Sequence, residues 1–198
     1  MYRSFIKRLL DIVFSILLLP VLLLVILLLS PIIWINDKGP VFYCAKRNRE
    51  KGKTFNMIKF RTMYVNSPDL RNDDGSTYSA DNDPRVTPIG KVLRKLSLDE
   101  FPQLFNVLFG DMSFIGPRPT VGEVDYLNMT GDKKKRYSIK PGITGYSQAF
   151  YRNSITQEEK YRYDAYYADN LSFSLDLRIL WQTFVSVLLQ RNINTKHK

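Results

Sequence analysis

The sequence predicts a mostly helical, membrane-associated protein with one small β-hairpin. Three observations lead to this prediction. An uncharged and almost wholly aliphatic run extends from Ile12 to Ile35. Apolar residues recur at helical spacing after Thr87. Short strand-like segments flank Glu50-Lys51-Gly52-Lys53, as in a hairpin. We divide the 198 residues into an N-terminal membrane anchor, residues 1–38, and one cytosolic domain, residues 39–198.

The N-terminal apolar run is long enough to cross a bilayer once as a helix. It is too long for a secretory signal, and no small-residue cleavage site follows it. Both of its flanks carry the positive charge that is typical of a cytoplasmic flank, so a spanning helix would violate that rule at one end. These flanking cations are Arg3, Lys7 and Arg8 before the run and Lys38, Lys46, Arg47, Arg49, Lys51 and Lys53 after it.

A proline near the middle of the run resolves this conflict. Pro20 removes a backbone donor and bends a helix, so the chain can return to its side of entry as a re-entrant helix-break-helix. The bend needs local hydrogen-bond partners, and Ser15 is one candidate. Pro31, in Ser30-Pro31, is the alternative break but would leave only a stub for the second limb. A single bitopic span is the other interpretation.

The predicted hairpin pairs residues 41–43 with residues 54–60. Lys59 and Arg61 alternate with Phe60, so both cations share one face of the second strand. They either line an anionic site or form a solvated edge. The polar segment from Ser67 to Asp83 is predicted as a surface loop.

A helix is predicted to begin at Thr87-Pro88, with a hydroxyl cap and proline at the first position. One face of this helix is apolar and the other is basic; the residues are Ile89, Val92, Leu93 and Leu96, and Lys91, Arg94 and Lys95. The next helix is predicted to start at Asp99 as its cap, to hold Pro102 in its first turn, and to end at Gly110.

The two adjacent acids Asp99 and Glu100 would then lie at a helix N-terminus. The partial positive charge there would keep both carboxylates ionised, as a nucleophile or metal ligand requires. An aspartate at a helix start is also an ordinary cap. Downstream, Pro117 and Pro119 fix Arg118 between two rigid residues, which suits the holding of a phosphate by a planar guanidinium.

The C-terminal third is predicted to hold two helices. One runs from Gln157 to Asp169 and is rich in tyrosines, which flank Asp164. The other runs from about Leu175 to Leu189, and it either lies at the membrane interface or packs in the core.

Composition excludes several classes of protein. Lys and Arg number 29 against 19 Asp and Glu, and the net charge of +10 requires an anionic partner or surface. One cysteine, Cys44, excludes a disulfide framework, and one histidine, His197, excludes a histidine-based metal site or triad. A nucleic-acid partner is not expected, because no recognition helix, RNA-binding aromatic motif or zinc spacing is present.

The run TPIGKVLRKLSLDEFPQLFNVLFGDMSFIGPRP resembles the signature of the bacterial sugar transferases, in their small monotopic polyprenyl-phosphate phosphoglycosyl transferase form. Four further motifs match in order and carry the resemblance over nearly the whole chain: KRLLD from Lys7, GPVFY from Gly39, KFRTM from Lys59 and PGITGYSQ from Pro141. One departure is that this family often breaks its anchor at a Ser-Pro pair near the middle, where this chain has Leu23-Leu24.

The resemblance implies transfer of a sugar-1-phosphate from a UDP-sugar to a polyprenol phosphate such as undecaprenyl phosphate, with release of UMP. Asp99 would be the nucleophile that forms a covalent phosphosugar enzyme, and Glu100, with Asp99, would hold Mg²⁺. Phosphate or nucleotide would be bound by Arg94 and by Arg118 with its flanking prolines, Pro117 and Pro119. Lys59, Arg61 and Asp164 lie in or beside matching motifs and complete the expected substrate-binding set.

The expected location is the cytoplasmic face of the bacterial inner membrane, at the first membrane step of envelope glycan assembly. A non-catalytic, membrane-anchored basic scaffold for anionic lipid or nucleic acid is the alternative function. The identity of the sugar and the oligomeric state stay open, and a homodimer is among the options.

Overall fold

The computed structural model describes residues 2–70, 78, 82–152 and 154–189. A π-helical turn, Tyr2–Ile6, leads into the N-terminal helix α1, Lys7–Asp37. Six more helices follow within the described residues: α2 Pro88–Lys95, α3 Gln103–Phe109, α4 Gly131–Arg136, α5 Tyr146–Phe150, α6 Gln157–Asp169 and α7 Phe173–Leu188. The strands are β1 Phe42–Asn48, β2 Thr54–Phe60, β3 Ser113–Ile115 and β4 Gly142–Thr144. The mostly helical prediction with a small hairpin is confirmed. His197 and most of the predicted loop 67–83 lie outside the described residues.

Helix α1 is the one helix among the described residues that is long and apolar enough to cross a membrane. The helix continues without interruption through both Pro20 and Pro31. A break at either proline therefore stays a prediction. Ser15 is fully buried and its hydroxyl makes no hydrogen bond with the described residues, so its role as a partner at a bend also stays a prediction.

Both ends of α1 are bound to the rest of the molecule. At its start, Lys7 forms an ion pair with Asp176 of α7 at 2.6 Å, and Arg8 donates to the carbonyls of Val107 and Leu108 at the end of α3. At its end, Asp37 pairs with Arg61. The last turns of α1 also contribute to a buried apolar cluster of Ile33, Phe60 and Leu93.

The predicted hairpin is present. Strands β1 and β2 pair antiparallel from Phe42 opposite Phe60 to Asn48 opposite Thr54, and a short 3₁₀ turn at Glu50–Gly52 joins them. The first strand continues to Asn48, farther than the predicted Tyr43. One face of the hairpin packs against α3 in a second buried cluster, made of Ala45, Phe55, Met57, Val107 and Met112.

Strands β3 and β4 form a parallel pair that the sequence pattern did not predict. The two backbones approach so closely that a Cβ on Gly142 would lie 2.0 Å from the backbone nitrogen of Gly116. Such contact is open only to glycine. A third buried cluster lies behind this pair and joins it to α5, α6 and α7 through Ile115, Ala149, Tyr167 and Ile179.

The helix start at Thr87 is confirmed, because the Thr87 side chain accepts a hydrogen bond from the Gly90 amide and Pro88 is the first helical residue. The predicted cap at Asp99 is wrong. Ser97 has a left-handed backbone, with φ of 56°, and Leu98–Glu100 form a separate 3₁₀ turn. Helix α3 begins only at Gln103, after Pro102, and it ends as predicted at Gly110, with φ of 90°.

The two C-terminal helices are also close to prediction. Helix α6 has the predicted bounds, and Thr156 and Glu159 form a reciprocal capping box at its start. Helix α7 begins at Phe173, two residues earlier than expected, behind a Ser172 cap. It carries an exposed apolar stripe at helical spacing, made of Phe173, Leu177, Leu180, Trp181, Phe184 and Leu188.

Candidate active site

The acidic pair lies on a strained turn between α2 and α3. Ser97 adopts φ of 56° and ψ of 21°, which a residue with a Cβ adopts at a cost of about 1 kcal/mol or more. Asp99 and Glu100 then follow in one tight 3₁₀ turn rather than in the first turn of a long helix. Backbone strain that the surrounding structure maintains is typical of functional sites.

Glu100 is enclosed by cations from two other parts of the chain. Its Oε1 accepts from Lys59 Nζ of β2 at 2.6 Å and from Arg118 Nη2 at 3.4 Å. Burial opposes ionisation of Glu100, but the charges of Lys59 and Arg118 prevail and hold the pKa of its carboxyl at about 2. Glu100 is therefore ionised throughout the physiological pH range.

Asp99 has a different environment from its neighbour. Burial raises the pKa of the Asp99 carboxyl above its usual range, Lys59 opposes this rise, and the adjacent Glu100 charge adds to it. The expectation that a helix N-terminus would keep Asp99 readily ionised is wrong, because α3 begins at Gln103 and desolvation dominates. A carboxylate of raised pKa is more basic, and therefore more nucleophilic, once it has lost its proton.

Arg94 approaches the pair from the last turn of α2. Its Nε donates to Thr62 Oγ1 at 2.9 Å, and it is half-buried. Burial lowers the pKa of Arg94, and the nearby Asp99 charge acts against that shift. Since an isolated guanidinium has a pKa above 12, Arg94 stays charged.

Arg118 lies on a segment that is held by its backbone. The Pro117 carbonyl accepts from the Gly142 amide at 3.0 Å, and the Arg118 carbonyl accepts from Arg136 Nη2 at 2.5 Å. The Arg118 side chain itself is 58% exposed. The prolines and these two bonds therefore fix the backbone while the guanidinium faces solvent, where an anionic ligand can reach it.

Two of the predicted substrate-binding residues have other partners in the structure. Arg61 is buried and donates to Asp37 and to the Pro40 carbonyl. Asp164 is buried and pairs with Arg136 at 2.9 Å, and it accepts from Ser147 Oγ at 2.8 Å. Burial raises the pKa of Asp164, and Arg136 opposes that rise. These contacts give both residues structural roles, and their binding roles stay predictions.

A sequence model of the family described as bacterial sugar transferase matches residues 2–190. The chain belongs to the bacterial sugar transferase family.

Three relatives illustrate the range of this sugar transferase family. The "Uncharacterized sugar transferase EpsL" of Bacillus subtilis (strain 168) is 42% identical over 193 residues, which cover 96% of this chain and 92% of that protein. The "Undecaprenyl-phosphate galactose phosphotransferase" of Salmonella typhimurium is 38% identical over 95% of this chain but only 41% of its own length. An Aeromonas hydrophila protein named "UDP-N-acetylgalactosamine-undecaprenyl-phosphate N-acetylgalactosaminephosphotransferase" is 36% identical over 93% of this chain and 44% of its own.

The donor set of this sugar transferase fits a divalent cation shared with a substrate. Among the described residues, no group of three or more His, Cys, Asp or Glu side chains converges on one point. Magnesium commonly takes only one or two carboxylates and completes its shell with water and phosphate oxygens. Asp99 and Glu100 supply two carboxylates, and only one oxygen of Glu100 is bonded by Lys59 and Arg118.

Sequence reasoning missed two polar residues around the site. Thr62 holds Arg94, and Arg136 holds the Arg118 backbone. Thr62 falls inside the KFRTM motif, so the motif marked the residue without indicating its contact. Arg136 falls in a run of four basic residues in α4, yet it is only 4% exposed.

Proposed function

We propose that this protein transfers a sugar-1-phosphate from a UDP-sugar to a polyprenol phosphate such as undecaprenyl phosphate, and releases UMP. The observation that carries the proposal is the acidic pair, Asp99 and Glu100, enclosed by Lys59, Arg94 and Arg118. Relatives that are named undecaprenyl-phosphate sugar phosphotransferases support the same substrate class. Three cations beside two acids suit a reaction in which diphosphate charge must be neutralised at a carboxylate nucleophile.

In the first step, an oxygen of ionised Asp99 forms a bond to the phosphorus that carries the sugar. The bond between that phosphorus and the bridging oxygen of the diphosphate breaks, and UMP leaves with the bonding electrons. The result is a covalent phosphosugar on Asp99. Arg94 and Arg118 stabilise the charge that develops on the phosphoryl oxygens, and Lys59 holds Glu100 in place through its 2.6 Å contact.

In the second step, an oxygen of the lipid phosphate forms a bond to the same phosphorus while the bond to Asp99 breaks. The product is a polyprenyl diphosphate sugar, and the Asp99 carboxylate is regenerated. The covalent intermediate lets a soluble nucleotide and a membrane lipid use one site in turn. Mg²⁺, held by Glu100 and Asp99, would neutralise charge on the donor diphosphate.

The contacts of α1 support a re-entrant anchor rather than a span. A straight helix of its length would extend about 46 Å, which is enough to cross a bilayer. Its start is bonded to α3 and α7, and its end is bonded to Arg61 beside β2, which are parts of the same body. With cationic flanks on both sides, these contacts favour an anchor that enters and leaves the membrane at the cytoplasmic face, with the bend at Pro20.

The apolar stripe of α7 supports a position in the plane of the inner membrane surface. Its start is joined to the anchor by Lys7–Asp176 and by the edge-to-face pair of Tyr2 and Phe173, whose ring centroids are 6.0 Å apart. An exposed apolar helix face that carries a tryptophan beside a lipid anchor is typical of an interfacial helix. The interface is therefore favoured over core packing for α7.

The test of the function uses the full-length protein in lipid nanodiscs with a panel of UDP-sugars. We expect UMP release with undecaprenyl phosphate, and, without acceptor, a mass increase equal to one sugar phosphate. Asp99→Asn should abolish both signals while membrane association persists. Asp132→Asn, an exposed aspartate of α4, is the matched control and should be fully active.

Two outcomes would contradict these proposals. Turnover by Asp99→Asn would reject the nucleophile assignment. A wild-type protein that remains in the membrane but releases no UMP from any donor would favour the scaffold alternative.

The anchor is tested separately by thiol labelling from the cytoplasmic side. Cys44 is exposed just after the anchor. Ser4→Cys, in a Cys44→Ser background, reports on the other flank. A re-entrant anchor labels at both positions, whereas a bitopic span labels at one.

A further inference from the structure

Thr62 makes a direct contact with Arg94 that the reaction scheme above does not use. Thr62 lies two residues after the end of β2 and is 7% exposed. Its hydroxyl oxygen accepts from Arg94 Nε at 2.9 Å. We propose that Thr62 is a positioning residue, which orients the guanidinium of Arg94 toward the phosphoryl group bound at Asp99. This inference rests on the proposed function.

The identity of the bonded nitrogen carries the argument. A guanidinium is planar, and its five donors form a rigid fork. The hydrogen bond from Nε to Thr62 fixes the plane of the Arg94 guanidinium. It leaves the two terminal nitrogens available to a ligand, and such a pair of nitrogens can bind a phosphate through two parallel hydrogen bonds. Within the described part of the chain, Thr62 is the hydrogen-bond partner that the structure gives to this guanidinium.

Thr62 is itself held rigidly by the start of the helix that carries Arg94. The Thr62 carbonyl accepts from the Thr87 amide at 3.0 Å. Gly90, one turn before Arg94, packs on the same carbonyl so closely that a Cβ there would lie 2.1 Å from the oxygen. Thr62, the start of α2 and Arg94 near its end therefore form one unit, and the Arg94 guanidinium cannot turn away without losing its hydrogen bond to Thr62.

The same unit connects the anchor to the acidic pair. Arg61, next to Thr62, is bonded to Asp37 at the end of α1, and the Val65 amide also donates to Asp37. A displacement of Asp37 would therefore move Arg61, and one peptide bond joins Arg61 to Thr62. The proposal gives a role to the hydroxyl of Thr62, a residue that is only 7% exposed.

The test compares Thr62→Val, which keeps the shape and removes the acceptor, with Thr62→Ser, which keeps the hydroxyl. We expect Thr62→Val to lower kcat by about 10- to 100-fold, the usual cost of misplacing a group that acts on the transition state. The KM for the UDP-sugar should change less than about threefold, because ground-state binding by the other cations persists. Thr62→Ser should recover most of the activity. Thr54→Val, an exposed threonine at the start of β2, is the matched control.

A double-mutant cycle separates positioning from a general effect on folding. In an Arg94→Gln background, Thr62→Val should cause no further loss, because the group that Thr62 orients is gone. Equal additional losses in both backgrounds, or a Thr62→Val enzyme with wild-type kcat, would overturn the inference while the proposed function stands. Wild-type protein without phosphotransferase activity would overturn both.

Discussion

Replacing Lys59 with methionine should change the pKa of Glu100 from below its ordinary value to above it. In the wild type, Lys59 and Arg118 hold the pKa of Glu100 at about 2, against its ordinary 4.5. That difference corresponds to about 3 kcal/mol of stability at neutral pH, since each pKa step is worth about 1.4 kcal/mol. Arg118 lies 3.4 Å away and is 58% exposed, so solvent and salt screen it and it cannot replace Lys59.

The sign of the pH dependence distinguishes this effect from a general packing defect. With Lys59 gone, burial is the dominant influence and should raise the pKa of Glu100 above its ordinary value. A carboxyl with a raised folded-state pKa binds more protons when folded than when unfolded, so the protein gains stability as pH falls. Lys59→Met should therefore be less stable than wild type by about 3 kcal/mol or more at pH 7.5, with a smaller deficit at pH 5.

Denaturant unfolding of the full-length protein at both pH values measures this, with activity followed in parallel. Lys59→Arg keeps the charge and should retain most of the stability. Lys53→Met removes an exposed lysine from the same hairpin and should change little. A deficit in Lys59→Met that is the same at pH 7.5 and pH 5, or an equal deficit in Lys53→Met, would contradict this prediction.

Two further predictions follow from other buried acids. Burial raises the pKa of Asp99, and in the proposed mechanism only its ionised form attacks, so the acidic limb of the kcat/KM profile should lie above the ordinary aspartate range. A limb below pH 4 in a pH series would contradict this. Asp176 accepts from Tyr2 and Lys7 on one oxygen, so Asp176→Asn should lose about 3–5 kcal/mol in thermal unfolding. In contrast, Lys135→Met breaks an ion pair whose two side chains are both 50% exposed, and its thermal unfolding should stay close to that of the wild type. Similar losses in the two variants would show that burial does not set the cost.

Local signals in the sequence were sufficient for much of the fold. The Thr87 cap, the Gly110 stop and the bounds of α6 follow from short-range rules, and the structure has each of them. The hairpin also follows from alternation on either side of a turn, although β1 runs five residues farther than predicted.

What sequence reasoning missed depends on long-range contacts or on strain. The left-handed Ser97 moved the acidic pair from a helix start into a separate turn, because serine gives no local sign that it will accept that conformation. Strands β3 and β4 have three residues each, and close glycine contacts rather than β-propensity bring them together. Asp164 was predicted as a substrate-binding residue, but its buried partner Arg136 is 28 positions earlier, and no local pattern indicates that pair.

The bond from Arg8 to the end of α3 bears on how this protein can be handled. Arg8 donates to two carbonyls in the last turn of the helix that follows the acidic pair, Val107 and Leu108. A soluble truncation that starts after residue 38 would expose those carbonyls and deprive buried Asp176 of its lysine. The N-terminal segment is therefore a structural part of the catalytic body as well as the proposed membrane anchor, and detergent or nanodisc preparations of the whole chain are the appropriate material for kinetics.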